Sequence, residues 1–319
     1  MTTNDPSDDG SDDAEGGRDG TNDELTEEVS QEEAEELINE IERRRSLQGL
    51  AAVAVAAIGI LFSIFQLFLA ARGFSFTVWL PLVDNWEISL QLLQANAVHV
   101  SFALVLTFLL FPASMGDGIV TRTLGRIVPA ASRRLGDRNP LTRLLARVRA
   151  TFRWLFLDPG RERVTPFDLL CIVASILSAI YFLTEFSEIQ SMRVFGLESG
   201  RPIVDVYAFL QPVLGSVPFV SEYSYAMALG VIGVLLVLEA TRRTLGLPLM
   251  IIVATFILYA RWGYLISGET PLLGLLAVNE LTWPDIIQNL WYNTENGVFG
   301  IPVTVSVSFI YIFILFGAF

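Results

Sequence analysis

Lysine is absent from this sequence, and cysteine and histidine occur once each, at Cys171 and His99. Each scarcity closes a class of function. A single cysteine permits no intrachain disulfide and no multi-cysteine metal site. With one histidine as well, the usual metal ligand sets and nucleophile–base pairs are out of reach. There is no phosphate-cradling GxxxxGK[ST] loop, no GxSxG elbow and no HExxH pair. The chain therefore reads as a protein that is not an enzyme. Cys171 lies inside an apolar run, where a buried structural thiol is the simple reading. A short cleavable leader is also missing: the first apolar stretch starts near residue 47 and has full spanning length, so it reads as a retained anchor.

What is present divides sharply along the chain. The 319 residues are 52% apolar, yet the formal net charge is -13, and the mean hydropathy is +0.52. Residues 1–42 hold 17 of the 34 acidic residues and one arginine, whereas residues 43–319 balance 17 acids against 20 arginines. A lysine-free, acid-rich composition resembles that of proteins adapted to multimolar salt, and implies a halophile. A G+C-rich genome would explain the missing lysine but not the acidic run.

Residues 1–29 are low-complexity Asp, Gly, Ser, Thr and Asn with almost nothing to bury, which predicts disorder. Ser30, with Glu33 three residues on, has the spacing of a capping box. Ala34, Leu37, Ile38 and Ile41 then share one helical stripe, fitting a solvated helix or a short coiled coil.

Six stretches, near 47–71, 92–115, 167–187, 224–241, 247–266 and 299–319, are apolar enough to cross about 30 Å of hydrocarbon, which needs roughly 20 helical residues. Backbone amides in lipid must be satisfied within the segment, and none of the six shows the alternation of a barrel strand. The predicted fold is an all-α integral membrane protein with about six transmembrane helices, a disordered acidic N-terminal tail and a cytoplasmic interfacial amphipathic helix.

Arginine sets the orientation, because cytoplasmic connections retain positive charge. Arg43, Arg44 and Arg45, eleven arginines between 116 and 166, and Arg242 with Arg243 total 16 on one side. The other side holds Arg72, Arg193 and Arg201, with Arg261 near the outer end of the fifth span, and the loop 267–298 has four acids and no arginine. This places a multi-pass protein in the plasma membrane with its N-terminus cytoplasmic. In the basic loop, Leu141, Leu144, Leu145, Val148, Phe152, Leu155 and Phe156 share a helical face, with Arg143, Arg147, Arg149 and Arg153 largely off it. That pattern fits a helix lying on an anionic leaflet rather than on nucleic acid. Prolines such as Pro81, Pro112, Pro166 and Pro248 fall near span ends or in connections, and Asp168 sits near the positive end of the third span.

Two places carry possible chemistry. His99 lies within the second span, where an ionisable group is costly and is either a proton-relay element or a neutral imidazole bonded to a neighbouring helix. Glu239 is deep enough in the fourth span to need a partner, which Arg242 or Arg243 can supply from one turn away.

The stretches Asn96-Ala97-Val98-His99, Phe111-Pro112, Phe167-Asp168-Leu169-Leu170 and Leu238 to Gly246 occur in order. Tyr292 to Pro302 and the ending Phe313 to Phe319 follow them. Together they resemble the fused permease of tripartite ATP-independent periplasmic (TRAP) transporters, in the subfamily with a TAXI-type extracytoplasmic solute receptor. The resemblance covers residues 92–319 and not the acidic tail. It implies sodium-coupled uptake of carboxylate-type solutes delivered by that receptor, with sodium as the coupling ion. Residues 1–45 are then a tail ending in a charged helix. Residues 46–222, including the basic loop 116–166, resemble the small membrane-scaffold subunit, and residues 223–319 the opening of the large transport subunit. The family continues through many more helices, so the resemblance implies a truncated or split product whose ion and substrate sites lie mostly on remaining transport-domain helices. The implied partners are the receptor, those helices and the lipid bilayer. Within this chain, Asn296, Gly297, Gly300 and Pro302 fit either a helix break that turns carbonyls toward an ion or an ordinary loop and helix start. A noncatalytic membrane scaffold recruiting partners through its acidic tail is the alternative function.

Overall fold

A computed structural model describes residues 44–72, 75–80, 83–114, 119–136, 139–206, 212, 223–266, 268 and 273–318. The expected disorder of 1–29, the Ser30–Glu33 cap and the stripe ending at Ile41 lie outside these residues, as does the expected domain boundary at 222.

In chain order, α1 (Leu50–Arg72) leads to an antiparallel hairpin of β1 (Ser75–Leu80) and β2 (Val83–Ser89). Ser75 pairs with Ser89 and Leu80 with Val83. Then come α2 (Leu92–Leu110), α3 (Ile119–Leu135), α4 (Pro140–Phe156), α5 (Pro166–Thr184) and α6 (Phe186–Phe195). After a helical turn at Ile203–Val206, α7 (Tyr225–Thr244) and α8 (Leu247–Trp262) form a tight pair. A short α9 (Trp283–Ile287) continues as a π-helical turn, Gln288–Tyr292. The chain ends in α10 (Ile301–Val305), a second π turn (Ser306–Ile310) and α11 (Tyr311–Ala318).

Among the described residues, five helices are long and apolar enough to cross a membrane: Leu50–Ala70, Leu92–Leu110, Pro166–Thr184, Tyr225–Thr244 and Leu247–Leu265. The protein is therefore a multi-pass helical membrane protein. The sixth expected stretch is helical from Ile301 to Ala318, with the π turn Ser306–Ile310 inside it. The β-hairpin departs from the helical expectation. It falls where Phe76, Thr77, Val78 and Trp79 cluster β-branched and aromatic residues between two spans.

The core gathers around α2, α5, α6 and α7 and the segment 286–299. Phe182 contacts Tyr292 and Phe299, at 5.4 Å and 5.1 Å between ring centroids, and Trp291 and Tyr292 are enclosed. Two glycines of α7 admit them: a Cβ at Gly233 would lie inside the Trp291 indole, and one at Gly230 would collide with Ile287. By contrast α1 and α8 leave Val53, Ile60, Ile64, Ile251, Ile252 and Phe256 exposed, as helices facing lipid require. Gly246, at φ +95°, makes the reversal between α7 and α8 that a side chain would strain.

Candidate functional site

Near the α2 C-terminus four distant segments meet in a buried ion network. Helix α5 begins with Thr165 as N-cap and Asp168 at the third position, each bonding the other's backbone amide. The expectation for Asp168 stopped at that helix-end role. In the fold its enclosed carboxylate also accepts from Arg45 Nη2 and from Arg243 Nη1, the latter at 2.6 Å. Arg45 reaches Asp158 as well, Nε to Oδ2 at 3.0 Å. Arg243 Nε donates to Glu239 Oε1 at 2.8 Å, and Arg242 holds both Glu239 oxygens at 2.8 and 2.7 Å. Arg45, Arg242 and Arg243 thus balance Asp158, Asp168 and Glu239.

The same guanidiniums close the end of α2. A helix leaves its last carbonyls without intrahelical partners. Arg45 Nη1 donates to Phe108 O (2.8 Å) and Leu109 O (3.1 Å), and its backbone N–H to Leu110 O. Arg243 Nη1 donates to Phe111 O at 3.0 Å, and Arg242 Nη2 to Ala113 O at 2.7 Å. Arg243 also lies over the Phe108 ring, 4.8 Å from its centroid. Positive charge at a helix C-terminus is favourable in its own right. Chemically this is a closed fastener, since its carboxylates are occupied.

A second polar group lies about 15 Å back along α2. Asn96 and His99, one turn apart, face α1 and the final helical stretch. Gln66 Nε2 lies 2.7 Å from His99 Nδ1, and Ser306 Oγ lies 3.2 Å from His99 Nε2. The amide nitrogen must donate, so Nδ1 accepts and the ring proton on Nε2 points to Ser306. Asn96 Nδ2 donates to Phe299 O and Thr304 Oγ1, both at 2.9 Å. Two enclosed oxygens, Gln66 Oε1 and Asn96 Oδ1, have no partner. Ser306 opens the π turn, a distortion frequent at functional positions.

The sequence-derived residues thus divide between two places. His99 belongs to the polar seam, and Glu239, Arg242 and Arg243 to the ion network. Asn296 is exposed and joins neither. Gly297 and Gly300 let the loop fold on itself: a Cβ at Gly297 would collide with Asn289 O, and one at Gly300 would lie 2.8 Å from Glu295 O. The loop's Phe299 carbonyl is taken by Asn96 and its Gly297 carbonyl by the Gly300 amide. Pro302 sits in the first turn of α10.

The chain matches no protein-family model, no curated protein and no solved structure. Its function must be argued from these two polar groups. Sequence reasoning missed Arg45, Asp158, Gln66, Thr304 and Ser306, and it gave Asn96 no role of its own. Gln66 carried a legible signal, because it is a lone amide in an apolar run, whereas Asn96 is one of three amides with Gln91 and Gln94. Among the described residues no group of His, Cys, Asp and Glu is placed to hold a metal ion.

At the other end of α5, Arg201 grips Glu188 with its backbone N–H (2.9 Å), Nε (3.0 Å) and Nη2 (2.8 Å), and Glu185 at 2.8 Å. The Glu188 hydrogen bond holds the guanidinium above its ordinary pKa. The enclosed Tyr292 hydroxyl donates to Ala226 O at 2.7 Å.

Proposed function

We propose that this chain is a membrane permease component of a TRAP-type secondary transporter, sodium-coupled and dependent on an extracytoplasmic solute receptor, for carboxylate-type solutes. The observation that carries the reading is the interrupted helical stretch 288–318. Its second π turn and glycine loop pack through uncharged polar groups against His99 and Asn96 of α2, and His99 bonds Gln66 of α1 in turn. Broken helices supported by polar side chains at membrane depth are how secondary transporters build mobile, ion-accessible elements. A plain anchor needs none of them.

Orientation follows from charge. The ion network gathers Arg45, Asp158 and the Arg242–Arg243 pair at one end of the bundle, so the arginine-rich segments share a side. Retention of positive charge makes that side cytoplasmic. Arg201 and the acidic connection between α8 and α9 then face outward, where the receptor docks. The remaining transport-domain helices of such a permease complete the ion and substrate sites.

The test is solute uptake into proteoliposomes holding this chain, its neighbouring gene products and the receptor. Uptake that needs an inward sodium gradient and the receptor is expected. Uptake indifferent to sodium would remove the coupling, and uptake unchanged without this chain would remove the permease role. The second reading, a noncatalytic membrane scaffold, is favoured by the ion network, a neutral fastener whose three carboxylates are all occupied by guanidiniums.

A further inference from the structure

The α3–α4 pair carries Arg122, Arg126, Arg133, Arg134, Arg143, Arg147, Arg149 and Arg153 and no acidic residue. It is tied to the level where spans end. The Asp158 amide, just past α4, donates to Ser114 O beyond α2 at 3.1 Å, and the Phe156 ring lies 4.7 Å from that of Phe167 at the start of α5. Between α3 and α4 runs a cleft of about 360 Å³ walled by Val128, Pro129, Ser132, Thr142, Arg143 and Ala146. The small side chains of Pro129, Ser132 and Ala146 leave it open.

Three features of the cleft point to one ligand chemistry. Thr142, only 4% exposed, has a hydroxyl without a hydrogen-bond partner; a buried donor left so is costly, and an acceptor oxygen would satisfy it. It lies in the first turn of the 17-residue helix α4, behind the Asn139 cap, where the helix end favours negative charge. Arg143 is exposed beside it with no ion pair to any described residue. On the faces of the two helices turned away from the cleft, Leu141, Leu144 and Val148 of α4 and Ile127 of α3 are exposed, apolar surface that sets the pair at the lipid boundary, where phosphate is carried by phospholipid headgroups.

We infer that the α3–α4 cleft is a binding site for the phosphodiester headgroup of an anionic membrane phospholipid, with Arg143 pairing the phosphate and the Thr142 and Ser132 hydroxyls donating to it. The inference rests on the membrane placement of the spans, not on transport. It makes the basic loop a lipid-reading element rather than a diffusely charged surface.

The test uses the purified full chain in neutral detergent, titrated with short-chain phosphatidylglycerol, short-chain phosphatidylcholine or glycerol phosphate, with binding read by native mass spectrometry. Phosphatidylglycerol is expected to bind at least about tenfold more tightly than phosphatidylcholine. Arg143→Gln and Thr142→Val are each expected to weaken it at least about fivefold, consistent with loss of one charge-assisted or neutral hydrogen bond. Arg153→Gln, three turns away on α4, should leave it unchanged. Thr142→Val removes only an unpartnered hydroxyl, so its melting temperature without lipid should match or exceed that of the parent chain, which separates loss of the ligand from loss of the fold. Equal affinity for the two lipids overturns the proposal. So does equal weakening by Arg153→Gln, which would mean a diffuse electrostatic surface, or binding of glycerol phosphate as tight as that of the lipid, which would mean a free-anion site.

Discussion

Asp168→Asn is the sharpest perturbation available, because it changes charge with almost no change of shape. The carboxylate is fully enclosed and receives two guanidiniums together with the Thr165 amide and hydroxyl, each of the latter at 2.8 Å. An amide there turns one acceptor oxygen into a donor that faces an arginine, and it leaves the buried set with an excess positive charge. Breaking a buried ion pair from one side costs about 3–5 kcal/mol, most of it from stranding the opposite charge. That corresponds to a roughly hundredfold to several-thousandfold shift in the unfolding equilibrium. The assay is reversible denaturation in mixed detergent micelles, followed by the fluorescence of enclosed Trp291. Arg243→Gln should cost a comparable amount. The double variant restores neutrality, so it should cost less than the sum by at least about 1 kcal/mol, the coupling expected of contacting groups. A loss below about 1 kcal/mol for Asp168→Asn, or strict additivity in the double variant, would refute the claim that the network is a mutually dependent unit.

Gly233→Ala drives a methyl group into the Trp291 indole and should destabilise by about 1–3 kcal/mol, with a shift in tryptophan emission as the readout. Asn96→Ala strips the donor from Phe299 O and Thr304 Oγ1. It should cost about 1–2 kcal/mol, with faster amide exchange appearing first in residues 301–310. Arg201→Ala removes ion pairs whose arginine is about half exposed; thermal melts should register less than about 1 kcal/mol, shrinking at roughly molar salt.

The membrane-crossing helices were legible because twenty apolar residues in a row have few other fates, and α1, α2, α5, α7 and α8 fall where hydropathy puts them. The amphipathic helix expected over 141–157 is α4, Pro140–Phe156. Its neighbour α3 drew no notice because Gly125 and Pro129 interrupt the helical pattern. The hairpin β1–β2 was equally hidden, because cross-strand pairing is a relation between two segments and neither short strand carries it alone. Glu239 announced its partners because they lie within one turn of the same helix. Arg45 announced nothing. Its partners Asp158 and Asp168 are 113 and 123 positions away, and an arginine before a span has a sufficient local explanation in the positive-inside rule. Hydropathy marked the final helical stretch, Ile301–Ala318, but not the π turn inside it, because a one-residue change of winding leaves no mark in composition.

The ion fastener also constrains the order of assembly. Synthesis runs from the N-terminus, and Asp168 and Arg243 stand 75 positions apart. Arg45 and Asp168 therefore enter the bilayer region with a carboxylate only half neutralised, and the carbonyls of Phe111 and Ala113 wait for donors not yet translated. The first three spans cannot reach their resting arrangement until the fourth arrives with its paired guanidiniums. A nascent chain halted before that point would present a charged, wettable mark at the lipid boundary, of the kind membrane quality control removes.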